Sequence, residues 1–217
     1  VELFAQVAAP RPIVGITGTN GKSTTTALVH HLLVAAGRPA LIGGNIGKPV
    51  FELALGPQDE TIVLELSSYQ LDLCEHLRCR VAVWLNLTPD HLDRHGGLEG
   101  YIAAKRRIFK NQSADDVAVI GVDDAPSREV ASERRAQGRR VIEVSVGREL
   151  LGGVGVVQGR LVDGLDGPPR PVASVAGLER LVQQEATRVE AARLLEPVFR
   201  AASDLKKLVE VLDIRLG

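Results

Sequence analysis

A glycine-rich segment of the sequence GTNGKST, at residues 18–24, constrains the fold more than any other feature of this chain. An apolar stretch at residues 12–16 precedes it and predicts a short buried strand. Residues 23–36 follow it with apolar side chains at helical spacing and stop at Gly37, which is typical of a helix end. A strand, a glycine-rich turn and a helix in this order form the context in which such a loop binds phosphate.

The loop also carries side chains that suit a nucleotide. Lys22 can bridge the outer phosphates, and Ser23 or Thr24 can place a hydroxyl group on Mg²⁺. The spacing differs from the standard G-x-x-x-x-G-K pattern, since Gly15 is one residue out of place. A strand–turn–helix with an unrelated Lys and Ser is therefore the alternative. The predicted cofactor-binding residues are Gly18, Thr19, Asn20, Gly21, Lys22, Ser23 and Thr24.

Further strands alternate with helical stretches such as residues 98–110. Their apolar, branched composition predicts buried strands at residues 40–42, 61–66, 81–87 and 117–122. Alternation of this kind predicts an α/β fold, in which a mostly parallel sheet carries helices on both faces. With the glycine-rich turn after the first strand, the expected class resembles the phosphate-loop NTPases.

The texture changes after residue 140. Residues 141–175 contain short β-rich pieces separated by Gly and Pro, which predict hairpins at the sheet edge, with a turn at Gln158 and Gly159. Residues 178–217 show an amphipathic helical stripe interrupted by Pro197. We expect two parts, residues 1–177 and a helical tail at 178–217. Because the proline breaks a long coil, a tail packed on the core of a monomer is favoured over a coiled-coil dimer.

Composition excludes several classes of protein. The net charge of −1 and an aromatic content of 3% argue against binding of nucleic acid. The two cysteines lack the spacing of a zinc or redox site, which favours a reducing cytoplasm. No apolar run is long enough for a membrane span, and no signal peptide is evident. The chain starts at Val1 and contains no Met, so we expect it to be a piece of a longer protein.

Candidate metal ligands follow two of the predicted strands. Glu65 ends an apolar strand, where α/β sheets bind ligands, and a salt-bridged strand-end carboxylate is the alternative. Asp90 and His91 come shortly after the next strand, and a histidine in such a loop is otherwise structural. Lys105 lies in a basic helical stretch that by itself predicts an exposed charged face.

Polar residues near the other strand ends form a further group of candidates. Asn45 lies in GGNIG, at residues 43–47, which is either a simple turn or a substrate loop. Ser67 and Gln70 come directly after Glu65, and their alternative role is capping of a helix.

Taken together, these motifs resemble the central domain of the Mur ligase family. The similarity covers GTNGKST, GGNIG, LELSSYQL at residues 64–71, NLTPDHLDRHG at 86–96 and YIAAKRRIFKN at 101–111. It is strongest to the branch of the family that adds D-glutamate, and it extends more loosely to about residue 175. Residues 178–217 resemble nothing in the family.

The resemblance implies a role for each matching residue. Lys22, His91 and Lys105 would be catalytic, with Lys22 on the phosphates of ATP and Asn20 near them. Ser23 or Thr24 with Glu65 would hold a first Mg²⁺ ion, while His91 and a carbamylated Lys105 would hold a second. Asn45, Ser67, Gln70 and His91 would contact the UDP-muramoyl substrate.

The implied reaction forms an amide bond during bacterial peptidoglycan synthesis, in the cytoplasm. UDP-N-acetylmuramoyl-L-alanine would be activated by ATP as an acyl phosphate and then attacked by D-glutamate. The resemblance does not cover the family's uridine-binding or C-terminal domain, so we expect this fragment alone to be inactive. The alternative is a truncated or engineered nucleotide-binding scaffold with a packing or dimerisation tail. A GTPase is disfavoured because the sequence has no Asn-Lys-x-Asp motif.

Overall fold

A computed structural model of the chain describes residues 1–45 and 49–176. The chain divides into two compact units, Val1–Ile142 and Glu143–Gly217. The predicted helical tail at residues 178–217, its boundary at residue 177 and its packing lie outside the described residues. So do Ile46 and Gly47 of the GGNIG segment.

The first unit is built on five parallel strands. These strands are β1 (Ile13–Thr17), β2 (Ala40–Gly44), β3 (Thr61–Glu65), β4 (Val81–Trp84) and β5 (Val117–Gly121). Their order in the sheet is β2-β3-β1-β4-β5, and all four pairings are parallel. The parallel α/β sheet predicted from the sequence is confirmed.

Helices connect these strands. The α-helices are α1 (Glu2–Ala8), α2 (Lys22–Ala35), α3 (Ser68–Asp72), α4 (Leu92–His95), α5 (Leu98–Arg106) and α6 (Ala125–Ala136), and short 3₁₀ helices span Val50–Glu52 and Arg107–Phe109. Successive residues of a strand point to opposite faces of the sheet, so both faces present apolar side chains. Both faces are covered, as predicted. On one face, Val14, Ile16, Val63 and Val83 pack against Val29 and Leu33 of α2.

The opposite face of the sheet is covered by α6 and the 3₁₀ turn after α5. Trp84 is fully buried there and donates its indole N–H to Ser127 of α6 at 2.8 Å. Its ring stacks on Phe109, with the two centroids 6.1 Å apart. Trp84 therefore connects the end of β4 both to α6 and to the 3₁₀ turn after α5.

The second unit contains the β-rich segment. Its strands are β6 (Arg140–Val146, whose first three residues belong to the first unit), β7 (Gly153–Val157), β8 (Arg160–Asp163) and β9 (Arg170–Ser174). The turn at Gln158 and Gly159 joins antiparallel strands β7 and β8, as predicted, and β8 pairs antiparallel with β9. The prediction of hairpins is wrong for β6 and β7, which run parallel. Residues 147–152 between them can span about 20 Å when extended, enough to return the chain to Glu143, which pairs with Gly153 at the start of β7.

None of the helices in the described part of the chain is long and apolar enough to cross a membrane.

Candidate functional site

The glycine-rich loop lies between the end of β1 and the start of α2, where the sequence predicted it. Gly21 forms the turn into the helix with φ +80°, a conformation that glycine adopts without steric cost. Asn86, just after β4, holds the loop from the side. Its carbonyl accepts from Thr19 N at 3.1 Å, and its side-chain amide exchanges hydrogen bonds with the backbone of Asn20 at 2.9 and 3.1 Å. The loop is therefore fixed to the neighbouring strand.

The hydroxyl of Thr19 extends this attachment. It donates to the carbonyl of Thr88 and accepts from the N–H of the same residue, each at 3.0 Å. It also lies 3.2 Å from the hydroxyl of buried Tyr101 on α5. The sequence analysis did not assign roles to Asn86, Thr88 or Tyr101. For Asn86 and Thr88 the available signal was their position just after a predicted strand, since parallel strands end at the same edge of a sheet.

Glu65 meets the first turn of α2 at the end of β3. The carboxylate is almost completely buried and accepts from the Ser23 hydroxyl at 2.7 Å and from the Asn45 amide at 3.2 Å. The partners seen for this carboxylate are a hydroxyl and an amide rather than the cation of a salt bridge. A carboxylate oxygen beside a hydroxyl oxygen is a pair of ligands that suits Mg²⁺. Thr24 lies next to Ser23 in the same helical turn.

Two lysine side chains donate hydrogen bonds to the backbone of the loop. Lys22 donates to the carbonyl of Thr19 at 2.8 Å, and Lys105 donates to the carbonyl of Gly18 at 2.9 Å. Lys105 is only 1% exposed and its nitrogen lies 4.8 Å from the centre of the Tyr101 ring. The exposed face expected from its helix alone is wrong for Lys105, because α5 turns this side chain inward.

Burial lowers the pKa of Lys105 to about 8, and the nearby positive charge of Lys22 acts in the same direction. The negative charge of Asp90 opposes part of this change. An amine with such a pKa is partly uncharged near neutral pH, and only the uncharged form is nucleophilic. Lys105 therefore combines a hydrogen bond to the loop with a lowered pKa.

Strand geometry explains why Glu65 and Lys105 approach the loop from different sides. Glu65 is in register with Ile16, whose side chain points to the α2 face. Thr17, the next residue of β1, points to the other face, and its hydroxyl lies 3.4 Å from the nitrogen of Lys105. The loop is consequently flanked by an acidic group on one face and an amine on the other.

His91 is placed differently from Glu65 and Lys105. It has φ +51°, is about half exposed, and its ring centre lies 5.2 Å from that of Tyr69 in an edge-on arrangement. Its backbone N–H donates to the carboxylate of Asp90 at 2.9 Å. Within residues 1–45 and 49–176, no three side chains of His, Cys, Asp or Glu are grouped so that they could hold a metal ion. The role of His91 as a metal ligand stays a prediction.

Ser67 and Gln70 form a capping box at the start of α3. The Ser67 hydroxyl accepts from the backbone N–H of Gln70 at 3.2 Å, and the Gln70 side chain accepts from Ser67 N at 3.0 Å. The alternative role of helix capping is therefore present. Contact of these two residues with a substrate stays a prediction, as does that of Asn45.

Comparison with known proteins identifies the family. The family model of the Mur ligase middle domain matches residues 16–152. The chain belongs to the Mur ligase family. Two curated relatives are UDP-N-acetylmuramoylalanine–D-glutamate ligases. The one from Rhodospirillum rubrum is 50% identical over 182 residues, covering 83% of this chain, and the one from Caulobacter vibrioides is 55% identical over 170 residues, covering 75%. The chain spans only 38% and 36% of their respective lengths.

Solved structures support the Mur ligase fold at lower identity. A UDP-N-acetylmuramoyl-L-alanyl-D-glutamate–2,6-diaminopimelate ligase is 24% identical, with a TM-score of 0.60 over 95% of this chain and 46% of that one. A MurF ligase from Thermotoga maritima in complex with ADP is 19% identical, with a TM-score of 0.53 over 93% of this chain and 49% of that one. Both show that the arrangement of strands and helices is that of the family.

Proposed function

We propose that this chain is the ATP-binding core of a cytoplasmic ligase that adds D-glutamate to UDP-N-acetylmuramoyl-L-alanine in peptidoglycan synthesis. The observation that carries the proposal is the convergence of Ser23–Glu65 and Lys105 on one glycine-rich loop. The names of the two relatives that share half or more of their residues with this chain supply the substrates. Two free, buried cysteines, Cys74 and Cys79, suit a reducing compartment.

The residues around the loop fit a magnesium nucleotide. Backbone N–H groups at the start of α2 and the amino group of Lys22 would hold the phosphates, replacing the contact of Lys22 with the Thr19 carbonyl. Ser23 or Thr24 and Glu65 would hold a Mg²⁺ ion through oxygen atoms. When bound, this ion neutralises charge on the phosphates.

Lys105 fits a second ion only after modification. Its uncharged amine can attack CO₂, so that a C–N bond forms, one proton leaves the nitrogen and a carbamate results. This change turns a buried amine into a pair of oxygen ligands next to Gly18, and the lowered pKa of Lys105 favours it. His91 would complete that position from the loop after β4.

Phosphoryl and acyl transfer would follow in two steps. A carboxylate oxygen of the UDP-linked substrate attacks the γ-phosphorus of ATP, which releases ADP and leaves an acyl phosphate. The amine of D-glutamate attacks the acyl carbon, phosphate leaves and the amine loses a proton, giving an amide. In-line positioning and charge stabilisation carry most of the rate in such reactions. Asn45, Ser67, Gln70 and His91 would orient the UDP-linked substrate.

A chimaeric ligase tests this proposal. Residues 16–152 of this chain would replace the matching segment of the Caulobacter vibrioides relative, which leaves that protein's remaining domains in place. We expect phosphate release that requires UDP-N-acetylmuramoyl-L-alanine and D-glutamate, and its loss on Lys105→Ala. A folded chimaera that releases phosphate equally well without UDP-N-acetylmuramoyl-L-alanine would refute the assigned substrate. One that binds Mg-ATP but is inactive with every amino acid would refute the ligase function.

A further inference from the structure

A second polar pocket lies away from the glycine-rich loop, between the 3₁₀ turn Arg107–Phe109 and helix α6, with a volume of ≈ 280 Å³. Gln112 forms part of its wall and donates to the carbonyl of Val117, the first residue of β5, at 3.0 Å. The glycine-rich loop instead follows Thr17, the last residue of β1. Because these strands are parallel, the pocket and the loop lie at opposite edges of the sheet.

The pocket carries more positive than negative charge. Four cationic side chains line it, Arg106, Lys110, Arg134 and Arg139, against a single carboxylate, that of Glu133. Glu133 forms an ion pair with Arg106 through two contacts, at 3.0 and 3.1 Å, and Lys110 forms one with Glu75. In the described part of the chain, no carboxylate forms an ion pair with Arg134 or Arg139. Among the described residues, the guanidinium charges of Arg134 and Arg139 therefore have no neutralising carboxylate.

Buried donors in the pocket point to the same conclusion. The Nε atoms of Arg106, Arg134 and Arg139 are buried, and no hydrogen-bond partner is found for any of them among the described residues. A buried donor without a partner costs about 1–3 kcal/mol, and more for a charged group. Three side chains that line the pocket therefore each carry a guanidinium nitrogen without a partner among the described residues.

Arg134 is fixed in place rather than free to move towards solvent. Its guanidinium lies 4.8 Å above the ring of Phe109 and donates to the side-chain oxygen of buried Gln112 at 2.6 Å. The amide nitrogen of Gln112 is itself bonded to two carbonyls, which orients that oxygen towards Arg134. Burial, and secondly the charge of Arg139, lower the pKa of Arg134, as expected for a cation that lacks a counter-charge.

We propose that this pocket binds a phosphate dianion, free or as the monoester of a small molecule, between Arg134 and Arg139. Two uncompensated guanidinium groups match a dianion in charge, and their planar sets of N–H donors match the oxygens of a phosphate group. Phe109 and Val130 supply an apolar wall that an ester group can contact. The site is separate from the glycine-rich loop and does not depend on the proposed ligase function.

The test uses the whole chain in a Lys22→Ala background, which weakens phosphate binding at the loop. Inorganic phosphate and phenyl phosphate would be titrated at constant ionic strength, following the arginine Nε–Hε signals by NMR and the heat by calorimetry. We expect the Nε–Hε signals of Arg134 and Arg139 to shift on binding. Arg139→Gln and Arg134→Gln should each weaken binding about tenfold or more, the equivalent of one charge-assisted hydrogen bond. Arg38→Gln, which removes an exposed charge at the end of α2, should not.

The two ligands separate the possible sources of the phosphate. Tighter binding of phenyl phosphate assigns the site to a monoester, whereas equal affinity assigns it to free phosphate. Trp84, the only tryptophan, stacks on Phe109, and its fluorescence reports whether each variant keeps the pocket folded. Absence of binding in the Lys22→Ala protein would overturn the proposal. So would folded Arg134→Gln and Arg139→Gln proteins that bind as tightly as Arg38→Gln.

Discussion

Lys105 is the residue in which the fold changes side-chain chemistry most clearly. Its amine is buried beside the loop, and burial, with the charge of Lys22, lowers its pKa to about 8. As the pH rises from 7 to 9 the free amine becomes the major form, whereas an exposed lysine with a pKa near 10.4 remains mostly charged. The reactivity of Lys105 towards CO₂ should therefore increase over this range.

Carbamylation of Lys105 can be measured directly. At a fixed concentration of dissolved ¹³CO₂, we expect a carbamate signal in the ¹³C NMR spectrum that grows between pH 7 and pH 9. Lys105→Arg should remove one carbamate signal, which Lys110→Arg, a change of a lysine paired with Glu75, should leave in place. A carbamate spectrum that Lys105→Arg leaves unchanged would show that other amines are the reactive ones.

Gly44 illustrates a backbone requirement beside the site. It has φ +104°, and a Cβ atom there would lie 2.3 Å from the carbonyl oxygen of Glu65. Gly44→Ala should lower the free energy of unfolding by about 3 kcal/mol, through backbone strain together with overpacking. Gly37→Ala is the matched control, since Gly37 has φ +71° but no atom within 4 Å of a Cβ. Strain alone predicts a loss of about 1 kcal/mol there. Urea denaturation measures both, and equal losses would contradict the close contact at Gly44.

The sequence could predict some of these residues and not others. Glu65 was identified because an acid at the end of an apolar strand is costly unless it has a partner, and the structure provides Ser23 and Asn45. Lys105 could not be distinguished by composition from its basic neighbours Arg106 and Arg107. Burial of one face of α5 depends on tertiary packing against the loop, and the family resemblance alone singled out Lys105.

At the scale of elements, the parallel strands were predicted with small errors at their ends. The fourth was expected over residues 81–87 but ends at Trp84, because the following residues bond to the glycine-rich loop instead of extending β4. The parallel pairing of β6 with β7 could not be predicted, because two strands joined by a short connection show the same alternation of apolar residues whether they run parallel or antiparallel. A hairpin turn that contains glycine, as at Gln158 and Gly159, can be recognised in the sequence.

Asp116 links two elements at the amino edge of the sheet. Its buried carboxylate accepts from Arg78 at 2.8 and 3.1 Å and from the backbone N–H of Ser113 at 2.7 Å. Burial raises the pKa of this carboxyl, but the hydrogen bonds and the charge of Arg78 outweigh it, so that the pKa is lowered from 3.8. Asp116→Asn should therefore lower the free energy of unfolding at pH 7 by about 2 kcal/mol.

The sign of the pH dependence follows from that lowered pKa. The carboxylate stabilises the fold above the ordinary carboxyl pKa, and this contribution is lost as the pH falls through the lower value of the folded state. The difference in the free energy of unfolding between wild type and Asp116→Asn should thus become smaller in acid. Asp115→Asn, at the exposed neighbouring position, should change stability little at any pH. Urea denaturation at pH 7 and pH 3 tests this, and a constant difference would argue against an ionised Asp116.

At the scale of the whole molecule, the first unit brings its chemistry to one edge of the sheet. The loop after β1, the carboxylate ending β3 and the polar segment after β4 meet there because parallel strands end on the same side. Asn86 and Thr88 join the loop to that segment, and their specific contacts depend on strand order, which the sequence does not state. We propose that this edge of the sheet binds the phosphates of ATP together with Mg²⁺.

Isothermal titration of the chain with ATP, with and without Mg²⁺, measures this binding. We predict binding that requires Mg²⁺ and is weakened about tenfold or more by Lys22→Ala, while Lys110→Ala leaves it unchanged. Lys110 serves as the control because it lies outside the loop and pairs with Glu75. Equal ATP affinity of wild type and a folded Lys22→Ala protein would show that the glycine-rich loop does not hold the phosphates.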